Sequence, residues 1–177
     1  MKKRSKLSDK DERILISLLT KVEGQMSYKI FREVAKKFVL TPIEAVIFRK
    51  HNHQFQILLI KRDQNDPDWG GKLHVPGTIL RKRDLDNSQN YDRALKRIQE
   101  KEIKVNFYQK PVLVGTYFSK TKRGVENSLI FVCQIEGDPK VGKFYDVNKL
   151  PQNIINSQIG FIKLALKETQ KKRNLLD

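Results

Sequence analysis

The sequence holds one cysteine, Cys133, one tryptophan, Trp69, and two methionines in 177 residues. A single cysteine excludes an intramolecular disulfide framework and a zinc site built on several thiolates. No apolar run approaches the roughly 20 residues that cross a bilayer, so membrane insertion is not expected. Acidic residues are scarce beside basic ones: 20 Asp and Glu face 36 Lys and Arg, a net charge of +16. That imbalance favours anionic partners, whether nucleotides, nucleic acid, acidic membrane surfaces or polyanions bound non-specifically. Met1-Lys2-Lys3-Arg4-Ser5-Lys6 is basic, but no uninterrupted apolar segment follows it. A secretory signal is therefore not expected, and the expectation is a soluble cytoplasmic protein.

What is present suffices for one domain with a short appendage, since a domain usually takes roughly 100–200 residues. A chain of this size buries about 70% of its unfolded surface, enough for a core without staples. Hydrophobic content is low at 38% and charged content high at 32%. The apolar residues nevertheless fall in well-spaced runs, which excludes wholesale disorder.

The periodicity changes along the chain. Ile14, Leu15, Leu18 and Leu19 have helical spacing behind a cap at Ser8 or Asp9, and Glu23-Gly24-Gln25 ends that helix. A second helix, about 27–37, places Ile30, Phe31, Val34 and Ala35 on one face. Two such helices cannot form a domain alone, so residues 1–40 are expected to pack on a domain spanning 41–177. A helix-turn-helix reading of the pair lacks a third helix and a recognition-helix signal. From Thr41 the period is that of strands: Ile43–Phe48 and Phe55–Ile60, joined by a His51-Asn52-His53 turn. Two histidines on a turn are too few for a metal site. A polar loop (63–72), a charged stretch (81–90), a helix at about 89–101 with Ala94, Leu95 and Ile98 inward, and strands at 112–118, 128–135 and 144–147 follow. A last amphipathic helix uses Ile159, Ile162, Leu164, Ala165 and Leu166. This order predicts an α+β or layered α/β fold with a mixed sheet. Cys133 alternates with apolar neighbours and belongs to the core. His74, beside Pro76-Gly77, is expected to be structural.

The informative stretch is 57–105. Ile57-Leu58-Leu59-Ile60-Lys61-Arg62 delivers an arginine to a strand end, and Trp69-Gly70-Gly71-Lys72-Leu73-His74-Val75-Pro76-Gly77-Thr78 leads through a turn toward a helix. With Pro111-Val112-Leu113-Val114-Gly115 and Phe144-Tyr145-Asp146-Val147 after it, the chain resembles the Nudix hydrolases over roughly 41–166. The family's signature is Gly, five residues, Glu, seven residues, then Arg-Glu-apolar-x-Glu-Glu-x-Gly-apolar. Setting Arg97 on its arginine puts Ile98 and Lys101 on the first two helix glutamates, Glu102 on the third, Lys104 on the glycine and Val105 on the last apolar position. Thr78 replaces the leading glycine, 19 positions before Arg97 instead of 14, and the outlying glutamate falls on Gln89. The helix Ala94-Leu95-Lys96-Arg97-Ile98-Gln99-Glu100-Lys101-Glu102-Ile103 is also similar to that of the GDP-mannose mannosyl hydrolase branch. That branch has a Gln-His pair where this chain has 138–143, and an arginine where it has Ile79.

The resemblance implies a Nudix-type α/β/α sandwich with two extra N-terminal helices. It implies Mg²⁺-assisted hydrolysis of a nucleoside diphosphate linked to another moiety, a nucleotide sugar among the candidates. Arg62, Arg97 and Glu102 are then the candidate catalytic residues, Arg62 steadying the departing diphosphate and Arg97 commonly bracing the signature helix through carboxylates. Arg62, Trp69, Lys140 and Lys143 are candidate substrate-binding residues. Glu102, with a carbonyl at Gly77 or Thr78, is the candidate metal site, suited to a single weakly held Mg²⁺ because one signature glutamate of four remains. Trp69 is placed either to stack on a base or to pack its loop. Lys120, Lys122 and Arg123 form a solvated loop or, with Lys140 and Lys143, ring an anion-binding mouth. Two functional readings stand: a hydrolase, which Glu102 favours, and a catalytically silent module binding nucleotide or RNA, which Ile98 and Lys101 favour.

Overall fold

The structure, a computed structural model, describes residues 7–22, 26–52, 54–85 and 91–171. The chain divides into two compact units, residues 1–37 and 38–177. The first holds α1 (Asp9–Leu19) and α2 (Tyr28–Ala35). Ser8 caps α1 by accepting from the Asp11 N–H at 3.2 Å, and Asp9, Asp11 and Glu12 place negative charge on the positive end of the helix dipole. Ser27 caps α2 in the same way. The segment Glu23-Gly24-Gln25, read as a helix breaker, lies outside the described residues, as do His53 and Gln89.

The second unit is built on a mixed sheet, seven-stranded among the described residues. Its strands are β1 (Pro42–His51), β2 (Gln54–Lys61), β3 (Leu73–His74), β4 (Gly77–Ile79), β5 (Val112–Lys120), β6 (Val125–Cys133) and β7 (Lys143–Asp146). The main order is β3-β2-β1-β6-β5, with β4 on β1 and β7 on β2. Only the β1–β6 pairing is parallel among these ladders; the rest are antiparallel. Asn52 turns the β1–β2 hairpin with φ 47°, a conformation that Asn tolerates better than most residues.

Side-chain alternation divides the core between the two faces of the sheet. Ile43, Ala45, Ile47, Leu58, Ile60, Leu129, Phe131 and Cys133 form one cluster with Ala94 and Leu95 of α4 (Asp92–Arg97) and with Ile98 and Ile103 of the π-helix that continues it (Ile98–Ile103). Val46, Phe48, Ile57, Leu59, Ile130 and Val132 form the other with Phe161, Ile162 and Ala165 of α5 (Asn156–Lys171). The sheet is therefore sandwiched between α4 and α5, the expected α/β/α layering. Burial pushes the Cys133 thiol well up from its ordinary range, as befits a core residue.

Three local expectations are corrected. The stretch 81–90 contains a short helix, α3 (Lys82–Leu85), where turns were expected. β6 begins at Val125, three residues before the expected start, because its first turn outward is occupied by a buried acid, Glu126, that an apolar pattern does not reveal. Most consequentially, α4 changes character at Ile98: residues 98–103 form π turns, ended by Lys104 in the left-handed region at φ 54°. Hydrogen bonds to the fifth residue instead of the fourth widen the turn, so residues after Ile98 leave the α-helical phase assumed for a signature helix.

Candidate functional site

The Pro-Gly turn is the natural origin of the site because strand pairing fixes it rigidly. The Ala45 N–H donates to Pro76 O at 2.8 Å and the Leu80 N–H to Thr41 O at 2.9 Å. Glu44 stands opposite Gly77 and Ile43 opposite Thr78. Opposed positions alternate along an antiparallel ladder, so Ile43–Thr78 is a hydrogen-bonded pair and Glu44–Gly77 is not. The Thr78 carbonyl thus points at β1, whereas the Gly77 carbonyl points away from it. Gly77 is required here, since a Cβ would run into the Glu44 carboxylate and lie 2.9 Å from Ile43 O.

Arg97 closes the turn from the helix side. Its guanidinium pairs with Asp84, donates to Thr78 Oγ1 at 3.2 Å and to Ile79 O at 3.0 Å. Asp84 is buried and also accepts from the Arg81 N–H at 2.7 Å. The brace expected of this arginine is present, but its carboxylate comes from α3, not from the helix itself. Ile98, at the position of the first family glutamate, is fully buried in the α4 cluster, and Lys101 is exposed. Glu102 is half-buried; burial raises its carboxyl pKa, and the nearby Arg62 opposes the rise.

Arg62 is the hub. Its guanidinium pairs with Asp66 at 2.7 Å and lies 5.6 Å from the Trp69 ring centroid, while its backbone N–H donates to Lys72 O at 3.0 Å. Asp66 holds the loop by accepting from the N–H groups of Asp68 (3.0 Å) and Trp69 (2.9 Å). Its carboxyl lies below the ordinary range: burial opposes this, and the Trp69 N–H and Arg62 outweigh it. A second guanidinium, Arg123, lies 4.5 Å from the Trp69 ring centroid and pairs with Glu126 at 2.9 Å. Trp69 therefore organises two arginines within cation–π range, and its packing role is the one its contacts display.

Sequence reasoning missed the buried acids behind this cluster. Glu44 and Glu126 are 5% and 3% exposed. Burial, then repulsion from Glu126, pushes Glu44 up to about 8, opposed by Arg123, Arg62 and a hydrogen bond from Gln158. Gln158 Oε1 in turn accepts from the Val75 N–H at 3.0 Å. His74 is buried and held down at about 3 by burial first and Arg62 second, so it is neutral at physiological pH and structural as expected. No local pattern betrays a buried carboxyl in an apolar strand.

The structure thus brings Arg62, Trp69 and Glu102 together, and places Gly77 and Thr78 on the adjoining turn braced by Arg97. Lys140 and Lys143 are exposed near the start of β7, where Lys143 registers with Leu59. Neither takes part in the hydrogen bonds and ion pairs joining Arg62, Trp69 and Arg123. For a divalent metal, the oxygen donors the sequence named are Glu102, which is half-buried, and the carbonyls of Gly77 and Thr78. Thr78 is committed to β1 and Arg97, and Glu44 favours its protonated form. Among the described residues no group of three or more His, Cys, Asp or Glu is arranged to hold a metal ion.

No family model matches the sequence, and no curated protein does. Solved structures do resemble it. The NUDIX domain of Shewanella oneidensis NrtR, complexed with ADP ribose, aligns with a TM-score of 0.56 at 19% identity over 80% of this chain and 98% of that one. The Caenorhabditis elegans Ap4A hydrolase gives 0.55 at 13% identity over 73% and 98%. A UDP-X diphosphatase gives 0.55 at 19% identity over 95% and 84%. Strand order, the helix packed behind the Pro-Gly turn, its bracing arginine and these likenesses agree: the chain has the Nudix fold.

Proposed function

We propose that the chain is a hydrolase of a nucleoside diphosphate linked to another moiety, working with a single weakly held Mg²⁺. The observation that carries the reading is Arg62, which shares the Trp69 ring with Arg123 and lies near enough to Glu102 to act on its carboxyl. Arg62 is fixed by Asp66 and Trp69 along one edge of its guanidinium, which leaves further N–H donors of the kind that suit diphosphate oxygens. Mg²⁺, when bound by Glu102 and the Gly77 carbonyl with phosphate oxygens completing its shell, supplies charge neutralisation at the diphosphate. Arg62 and Arg123 supply the part of that neutralisation for which other members of the family use more carboxylate-bound metal. Solved proteins of the same fold that are named for, or complexed with, ADP ribose, Ap4A or UDP-X compounds support this ligand class. Nucleotide sugars fall within it.

The deciding experiment is a phosphate- and sugar-release screen over nucleoside diphosphate compounds, with and without Mg²⁺. Turnover that requires Mg²⁺ and falls by about 100-fold in both Glu102→Gln and Arg62→Ala is expected. Turnover untouched by Glu102→Gln sinks the metal assignment. A second reading, a binding module without turnover, is favoured by Ile98 lying in the core and Lys101 in solvent, which leaves one carboxylate on the helix. It predicts nucleotide binding that depends on Arg62 with no product under any metal.

A further inference from the structure

On the α5 side of the sheet, beyond Trp69, lies a cleft of about 280 Å³. It is lined by Trp69, Lys72, Lys120 and Lys122 together with Asn156 and Ser157 at the start of α5, and no acidic side chain lines it. Its cations are presented by pinned elements. The 120–124 turn is closed by the Thr121 N–H donating to Gly124 O at 2.8 Å, and Arg123 clamps it to Glu126 and to the Trp69 ring. Lys122 Nζ donates to Asp68 O at 3.3 Å, tying the turn to the Trp69 loop. The opposite wall is held by the Leu73 N–H donating to Asn153 O (3.1 Å) and the Ile155 N–H donating to Leu73 O (2.9 Å).

We propose that this cleft binds a phosphoryl group. Lys72 and Lys120, with Lys122 tied to the Asp68 backbone, make it a locally cationic hollow. The first turn of the 16-residue α5 adds the positive end of its dipole to the same hollow. The volume lies just under the roughly 300–1,000 Å³ of ordinary small-molecule sites, so the cleft takes a compact anion and not a whole dinucleotide. The inference rests on the phosphate-ligand reading above and sharpens it: the substrate carries a further phosphoryl group on the Trp69 side, besides the diphosphate between Arg62 and Glu102.

The test is calorimetric titration of the full chain with inorganic pyrophosphate, without metal, at about 0.15 M salt so that general attraction to the net charge is screened. The double variant Lys120→Ala/Lys122→Ala is expected to lose about tenfold or more in affinity, and Lys120→Arg/Lys122→Arg to keep it. Lys163→Ala/Lys167→Ala, which removes the same charge from the exposed side of α5, is expected to change it by less than about threefold. Thermal melts confirm that each variant folds. The proposal is overturned if the full chain does not bind pyrophosphate at millimolar concentration, if the Lys163/Lys167 variant loses as much as the Lys120/Lys122 variant, or if the loss occurs only in Arg62→Ala. Turnover is read separately. Pyrophosphate binding without hydrolysis of any compound removes the hydrolase reading and leaves the cleft; hydrolysis without pyrophosphate binding removes the cleft and leaves the hydrolase.

Discussion

On the α4 face of the sheet, charge is held inside the structure: Arg97 is spent on Asp84, Thr78 and Ile79, and the position of the first signature glutamate is an isoleucine of the core. Around the Trp69 ring, charge is gathered for presentation. Arg62 and Arg123 are steadied from behind by Asp66 and Glu126 and by the Trp69 ring, with Lys72, Lys120 and Lys122 beyond them. The same residue types thus serve opposite ends. A guanidinium spread over three partners rigidifies a turn, and one held along a single edge keeps donors for a ligand.

This contrast is broken most sharply by Asp84→Ala. The Arg97 side chain is 19% exposed and Asp84 3%, so removing the acid strands a largely buried cation. A loss of about 3 kcal/mol in urea unfolding is expected. Arg62→Ala, whose pair is more open, should cost about 1 kcal/mol or less. Equal losses would mean that both arginines are structural and that the two regions do not differ.

A smaller effect concerns pH. Glu44 in the folded protein sits at about 8 against an ordinary 4.5. The native state therefore keeps a proton that the unfolded chain has released, and stability falls as pH rises between those values. His74 sits at about 3 against 6.5, so its contribution is present above 6.5 and lost as pH falls toward 3. The two slopes oppose one another between 4.5 and 6.5, and Glu44 acts alone above that. Stability is expected to drop by about 2 kcal/mol from pH 6.5 to 8, at 1.36 kcal/mol per unit. Chemical denaturation across that range should show the drop in the parent and not in Glu44→Gln. A parent curve that is flat from 6.5 to 8 would place the Glu44 proton elsewhere.

The smallest effect sharpens the helix side. Lys104 occupies a left-handed conformation at φ 54°, which costs a non-glycine residue roughly 1–2 kcal/mol. Lys104→Gly should stabilise by up to about 1 kcal/mol, reduced by the extra freedom of glycine in the unfolded chain. Destabilisation would show that the lysine side chain holds the end of the π segment by contacts that outweigh the strain.

Much of this was legible in advance. Ala94, Leu95 and Ile98 were expected inward and are buried; Cys133 was expected in the core and lies there. Lys104, which aligned with the family glycine, ends the helix in the left-handed region, a conformation the alignment was not used to predict. The site was legible only in part. Arg62, Trp69 and Glu102 were named through the family resemblance, but Glu44, Asp84 and Glu126 were not. Each is a buried carboxylate whose partner is supplied by a different segment or by a turn, and a single charged letter in a sequence does not distinguish a solvated acid from a buried one.

The sequence by itself determined the layers, because hydrophobic alternation and helical spacing are local and decide which side of each element must leave water. Tertiary structure alone decided the partners of the charges. Pairing of β1 with β4 and β6 sets Glu44 against Gly77 and near Glu126, α3 delivers Asp84 to Arg97, and the β5–β6 turn lays Arg123 on Trp69. Electrostatic interaction depends on distance and burial, and both are created only when elements remote in the chain come together.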